Sequence, residues 1–399
     1  MTTTQTLRNT LGVLMGLVLV ASGFTTDANT LRQPVADDIV ARITHSNELA
    51  VITGRDISSL QTSLDTEPTN IGIAARLAEG YLLAGQRIGQ SRFYGYARSA
   101  LRPWLDGERI PIDLLWSRAT IRQHHHDFEG ALEDVDRLLA ARPRQPQAWL
   151  TRASILENLG RPQGAAQSCL SLIRLNRSPS GQVCLASAMS LMGRHVEAYR
   201  LVSRVSLERM VPNEAVWAAL TLAEITERKG AINEAKQVFH RAMSLTEFPG
   251  AVHRQYAEFL LRQRAFDDVV VLTDERPNGL RLQRLLAQTS LGTATPIDVS
   301  RVRQDLVHAG SRGSVRHLFD DARFALWIDK DPMQALKHAQ ANWRVQRTPA
   351  DAQLLLECAL ARGKPSAAKP VLAWLEATGY SSPRLAELRA RVTTELGER

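Results

Sequence analysis

Gly160-Arg-Pro-Gln-Gly-Ala165 is a phrase that this 399-residue chain repeats. It returns as Gly193-Arg-His-Val-Glu-Ala198 and as Gly230-Ala-Ile-Asn-Glu-Ala235. An earlier copy reads His126-Asp-Phe-Glu-Gly-Ala131, and later ones read Arg264-Ala-Phe-Asp-Asp-Val269, Lys330-Asp-Pro-Met-Gln-Ala335 and Gly363-Lys-Pro-Ser-Ala-Ala368. The closing positions fall 34 (131 to 165), 33 (165 to 198), 37 (198 to 235), 34 (235 to 269) and 33 (335 to 368) residues apart. A leading glycine suits a helix end, where a left-handed residue is wanted. The residues after it make a short turn. The closing alanine then lies early in the next helix, where a small side chain lets two helix backbones approach.

The surrounding residues keep the same phase. Twelve positions before the closing residue, on the preceding helix, stand Ala119, Ala153, Ala186, Ala223 and Ala257. Four positions after it come the larger Val135, Cys169, Val202 and Phe239. Pro143, Pro179, Pro249 and Pro349 close several units, because proline blocks continuation of a helix. The period therefore predicts an all-α chain of helix-turn-helix hairpins, each too small to bury its own apolar stripe and completed by its neighbours.

This pattern resembles the tetratricopeptide repeat, whose period is 34 residues. Trp149, Ala153, Gly160, Ala165 and Pro179 sit near the motif's slots, and Ala223, Gly230, Ala235, Phe239 and Ala242 fit best. Most units lack the aromatic residue of the first helix, although Tyr81 keeps it in the first unit. The resemblance spans about residues 68–380 and implies a right-handed α-solenoid of stacked TPR-like repeats with a concave inner face. The expected organisation is a helical lead-in over 24–66, about eight to nine units over 67–380 and a C-terminal capping helix over 381–399. Residues 279–315 read as a degenerate unit or an insertion.

In the resembled family the first helix of each unit lines a groove that holds peptide segments. The resemblance thus implies a partner-binding groove at Trp116, Gln123, Glu157, Trp217, Glu224, Glu227, Arg254, Glu258 and Arg262, with Thr120, Leu150, Ser154 and Leu220 beside them. Trp116 and Trp217 serve in that reading as amphipathic anchors; the alternative is that they pack between adjacent first helices. The charged residues would supply polar specificity, or form a solvated face. The family's clamp for a C-terminal carboxylate does not show at the corresponding positions.

The N-terminus has its own character. Residues 1–23 carry one charged side chain, Arg8, before an apolar run from Leu11 to Ala21. Eleven residues of helix reach only about 16 Å, short of a bilayer core. A positive start, a short apolar run and Ala21-Ser22-Gly23 predict a signal peptide, with cleavage before Phe24 or after Ala28. The other reading is an uncleaved anchor or a frayed helix. No cysteine follows the apolar run, which argues against a lipoprotein anchor. The expected location is exported, periplasmic or secreted. There Cys169 and Cys184, on neighbouring predicted helices, could pair; buried as small hydrophobes they could equally stay free.

Composition bounds the chemistry. Charged residues are 23% and aromatic residues 6% of the chain, with six lysines, 43 arginines and a net charge of +8, or +7 without residues 1–23. The basic residues alternate with acids and form no run interleaved with aromatics, so no nucleic-acid partner is expected. His124, His125 and His126, near Asp127 and Glu129, are the one metal-like cluster, but adjacent helical residues point about 100° apart and cannot converge on one ion. No metal site and no cofactor is expected. The hydrolase, zincin, phosphate-loop and dinucleotide motifs are missing. The expected function is a non-catalytic scaffold for protein–protein interaction in the bacterial cell envelope. The alternative is an accessory factor for export or assembly of an envelope polymer, contacting an acidic polysaccharide.

Overall fold

The computed structural model describes residues 56–88, 90–105, 110–176, 178–246, 250–274, 280–311 and 318–397. The expected signal peptide and residues 24–55 of the lead-in lie outside them. All of the described residues belong to one compact unit, Ser46–Arg399. Among them are helices and turns and no strand.

A single helix, α1 (Ile57–Thr66), leads in. Asp56 caps it by accepting the Ser59 N–H, and Ile57, Leu60 and Leu64 press its apolar side on the first hairpin. Nine hairpins follow: α2 (Ile71–Ile88) with α3 (Arg92–Leu105), α4 (Leu115–His124) with α5 (Phe128–Ala141), α6 (Pro146–Asn158) with α7 (Pro162–Asn176), α8 (Pro179–Leu191) with α9 (His195–Val202), and α10 (Pro212–Arg228) with α11 (Ile232–Ser244). Then come α12 (Gly250–Arg262) with α13 (Phe266–Asp274), and α14 (Arg281–Leu291) with α15 (Pro296–Ser311). In the eighth, α16 (Leu318–Arg323) runs into a π-helical turn (Phe324–Ile328) and pairs with α17 (Pro332–Val345). In the ninth, α18 (Pro349–Ala361) faces a 3-10 turn (Pro365–Ala368) continued by α19 (Lys369–Thr378). The last helix, α20 (Pro383–Gly397), lies on α18 and covers the end of the array with Leu385, Leu388 and Val392.

The repeated phrase does locally what its chemistry dictates. Its first residue is left-handed in every copy: Gly160, Gly193, Gly230 and Gly363, but also His126, Arg264 and Lys330 at φ of 55–58°. Those three are the only non-glycine residues with positive φ among the described residues. The closing Ala131, Ala165, Ala198, Ala235, Val269, Ala335 and Ala368 are all wholly buried. So are the alanines twelve positions before them, down to 1% exposure at most, which marks these sites as tight helix crossings. Residues 281–311 also form a hairpin, turned by left-handed Gly292, but there the closing slot holds Ile297, 62% exposed. With no small residue to bring the backbones together, α15 packs only loosely, chiefly through Val302.

The first helices of successive hairpins touch one another from α2 to α18, the π turn standing in for the eighth, and form the inner layer of an all-α solenoid. Cys169 on α7 and Cys184 on α8 form a disulfide, with Cα atoms 5.5 Å apart, that ties the third hairpin to the fourth. The array also curls back on itself. Helix α12 reaches α2, and the ninth hairpin rests on the turns of the third and fourth. Trp374 Nε1 donates to the Gly160 carbonyl at 3.0 Å, the Arg347 N–H donates to the Asn158 carbonyl at 2.8 Å, and His195 Nε2 lies 2.7 Å from the Ser381 carbonyl. Gly193 and Gly379 approach so closely that a Cβ at Gly193 would stand 2.2 Å from the Gly379 oxygen. No helix among the described residues is long and apolar enough to cross a membrane.

Candidate ligand cavity on the inner face

The curl gathers polar side chains of the inner layer into a ladder of ion pairs. On α10, Arg228 donates to Glu224 at 3.0 Å and to Ser190 Oγ of α8 at 3.2 Å. Arg262 of α12 holds Glu227 of α10 with two parallel bonds of 2.9 and 2.7 Å, and Gln263 adds a third at 3.0 Å. The fork geometry of guanidinium on carboxylate makes this a strong, oriented pair. The surrounding protein desolvates the Arg262 charge although a third of the side chain reaches solvent, yet Glu227 beside it, with Glu258 and Glu224, keeps its pKa raised. Glu157 of α6 stands at the other end without a direct guanidinium partner. Burial pushes its carboxyl up to about 7, against the pull of the Ser187 hydroxyl and Arg228.

Beyond the ladder, α12, α14, α16, α18 and α20 enclose a cavity of about 990 Å³. That is at the upper end of the size of small-ligand sites. Its central charge is Arg323, 4% exposed. This residue stands twelve positions before Ala335, in the slot that holds alanine in five other hairpins. A guanidinium does not fit a tight crossing, and the helix changes there to the π turn, a widening often found at functional sites. Arg323 donates to Glu258 at 2.8 Å, lies 3.7 Å from Asp320 and sits over the rings of Phe319 and Trp327 at 5.3 and 5.8 Å. Gln283 also donates to Glu258, at 2.8 Å. Burial pushes the Glu258 carboxyl upward, but Arg323 outweighs it, with help from Gln283 and Arg262, and the pKa falls below the ordinary value.

On the opposite wall, Glu357 Oε1 accepts from Gln353 at 3.1 Å and from Arg384 of α20 at 3.2 Å. Its other oxygen is buried without a hydrogen bond. A buried acceptor left unpaired costs about 1–3 kcal/mol, so this oxygen is a place where a donor from outside would be welcome. Apolar surface between these charges comes from Leu261, Leu286, Leu326, Leu354 and Trp327.

The structure thus sorts the residues expected to form a groove. Glu258 and Arg262 line the cavity, and Glu157, Glu224 and Glu227 belong to the ladder beside it. Trp116 and Gln123 are taken up between hairpins two and three: Trp116 Nε1 donates to Thr151 Oγ1 at 3.0 Å and Gln123 to Ser154 Oγ at 2.9 Å. Thr120 is buried and donates to the Trp116 carbonyl. Trp217 is half-buried against the Cys169–Cys184 cluster together with Leu150, and Leu220 is buried. Both tryptophans are therefore packing residues between units rather than open anchors: Trp116 lies against the third hairpin and Trp217 against the disulfide-bridged cluster of the third and fourth. Arg254 is exposed on α12 and does not line the cavity. Sequence reasoning missed Arg323, Trp327, Glu357 and Arg384. The arginine in an alanine slot was the signal for the first.

The three histidines go separate ways. The His124 ring stacks on Tyr94 with centroids 3.7 Å apart, His125 stands edge-on to His124, and His126 takes the left-handed turn position against Phe128. Among the described residues no three His, Cys, Asp or Glu side chains are placed to hold a metal ion.

No family model and no curated protein matches the chain. Solved structures do. A Rap protein complexed with competence and sporulation factor covers 90% of this chain and 100% of its own, at 10% identity and a TM-score of 0.52. The human IFIT1 dimer with m7Gppp-AAAA covers 85% and 87%, at 14% identity and a TM-score of 0.44. Pseudomonas aeruginosa PilF covers 59% and 91%, at 15% identity and a TM-score of 0.34. Identities this low speak to fold alone. By its fold, this chain is a tetratricopeptide-like repeat protein.

Proposed function

We propose that the chain is a non-catalytic scaffold, exported to the bacterial cell envelope, that binds a protein partner on its inner face. The observation that carries this reading is the cavity between α12 and α20, which the chain's own side chains line but do not fill. Support for export comes from the short apolar run after Arg8 and from the Cys169–Cys184 bridge, a bond that persists in oxidising compartments. Catalysis has no evident seat: the half-buried carboxylates Glu258 and Glu357 are engaged by arginine. In-cell crosslinking of the tagged chain, followed by capture from the envelope fraction, tests the proposal. A specific envelope protein is the expected result. A tagged chain found wholly in the cytoplasm, or capture no richer than an untagged control, refutes it.

The accessory-factor reading draws on the excess of cationic side chains around the cavity. Binding to an acidic polysaccharide would vanish at moderate salt, because exposed charges are screened beyond about 8–10 Å. Binding that weakens with salt but does not vanish favours a protein partner that also buries apolar side chains against the leucines and Trp327 of the cavity.

A further inference from the structure

We infer that this cavity docks an acidic peptide segment bearing bulky apolar side chains, an inference that rests on the scaffold reading and names the chemistry of its partner. The charges are the first reason. The lining holds six cations, Arg262, Arg264, Arg323, Lys330, Arg384 and Arg391, against three carboxylates, Glu258, Glu357 and Glu387. Arg262, Arg323 and Arg384 are committed to those and neighbouring acids. Arg264, Lys330 and Arg391 have no carboxylate partner among the described residues and are exposed. Three cations without a carboxylate partner among the described residues thus surround one opening, and a carboxylate-bearing ligand would pair with them.

The second reason is where two of these cations sit. Arg264 and Lys330 occupy the left-handed turn slot that five other hairpins give to glycine. A long side chain there carries a steric cost that glycine avoids. Both residues line this cavity, and an outlier of this kind points to function. His126, the third such residue, packs on Phe128 and has a structural use.

The interior supplies the rest. Trp327, Phe319 and the leucines between α12 and α18 offer apolar surface, and Arg323 over the two rings fixes their orientation. The buried Glu357 Oε2, without a hydrogen bond, accepts from an N–H that the protein itself does not provide. A peptide brings carboxylates, apolar side chains and backbone N–H groups on one ligand. A polyanionic sugar brings carboxylates and hydroxyl donors but no apolar side chains, and would leave the leucines wet. Glu258, Glu357 and Glu387 would repel a dense polyphosphate.

The test is selection from an array of immobilised random decapeptides by the purified full-length chain, with affinities of the selected peptides then measured in solution. The wild type is expected to select Asp or Glu near Leu, Phe or Trp. The charge-reversed R264E/K330E/R391E chain, altered only at exposed positions, is expected to bind those peptides at least tenfold more weakly with an unchanged circular dichroism spectrum. If that chain misfolds, R264A/K330A/R391A takes its place with the same expectation. Glu357→Gln, which puts an amide where the lone acceptor stands, is expected to weaken binding severalfold. Selection without acidic bias, affinity indifferent to the rim substitutions, or binding of polygalacturonate in place of peptides overturns the inference. Capture of an envelope partner undiminished by the rim substitutions overturns the cavity assignment and leaves the scaffold reading standing. Acidic-peptide selection by a chain that proves cytoplasmic does the reverse.

Discussion

Substituting Gly193 by alanine, with Gly230→Ala as its partner experiment, measures whether the ninth hairpin rests on the fourth in solution. Both glycines fill the same turn slot with positive φ, 75° and 89°. Alanine in the left-handed region costs about 1–2 kcal/mol at either. Around Gly230 there is nothing within 4 Å of the new methyl, so that cost is the whole effect. At Gly193 the methyl would stand 2.2 Å from the Gly379 carbonyl oxygen, a backbone atom that cannot rotate away. Ordinary contact requires about 1 Å more, and overpacking of this kind costs about 1–3 kcal/mol. If the backbones part instead, the Trp374–Gly160 and His195–Ser381 contacts stretch, and each forfeits about 0.5–1.5 kcal/mol. Gly193→Ala should therefore destabilise by about 2–5 kcal/mol and Gly230→Ala by about 1–2. Long repeat arrays can depart from two-state unfolding. Urea midpoints should therefore be read beside hydrogen exchange, which in Gly193→Ala alone should quicken around residues 158–164 and 371–381. Equal midpoints and unchanged exchange in the two variants would refute the closure and, with it, the shape of the inner face.

Three further expectations follow from particular groups. Alkylation of the native, non-reduced chain should label no thiol, alkylation after denaturation should label one, and alkylation after denaturation with reduction should label all three; burial, with Glu357 nearby, pushes the Cys358 thiol up to about 12, and the other two cysteines are bonded. Reduction should also lower stability by about 3 kcal/mol, the chain-entropy value for a loop of this size, and a chain that keeps its urea midpoint in reductant would contradict the pairing. Asp134→Asn should cost about 3 kcal/mol by thermal or urea unfolding, because the Asp134 carboxylate, 1% exposed, joins Arg118 at 2.8 Å and Arg122 at 2.9 Å; a loss under 1 kcal/mol would mean that water already screens the cluster. Glu157 has a folded pKa of about 7, above the ordinary 4.5, so the folded chain holds a proton that the unfolded chain releases, and stability falls as pH rises from about 4.5 to 7. Glu157→Gln should remove that share of the decline, so its melting temperature relative to wild type should climb across the window; a constant difference would place the carboxyl in water.

The repeat was legible because its slots have strict physical demands. A residue at left-handed φ, an alanine at a crossing and a large side chain one turn later recur at fixed spacing, and all can be read without knowing how hairpins are rotated. Even His126, Arg264 and Lys330 were found by phase, although their residue types disguise the turn. Closure of the array was not legible. It depends on small rotations summed over six hairpins, and residues 160 and 374 carry no mark of their contact. The inner face followed from that closure. Trp116 and Trp217 stood at positions that line a groove in the resembled family, but here the neighbouring hairpins take up their rings. Helix α20 was read as a lid against solvent, yet its Arg384 and Arg391 form one wall of the cavity.

The sulfur–sulfur bond between α7 and α8 crosses a seam near the middle of the chain. In a linear array each seam can open on its own, and damage at an end spreads inward one seam after another. Here the spread halts at a covalent rivet. A protease working on the chain would trim it from both extremities and spare a fragment around residues 146–202, the last stretch to come undone.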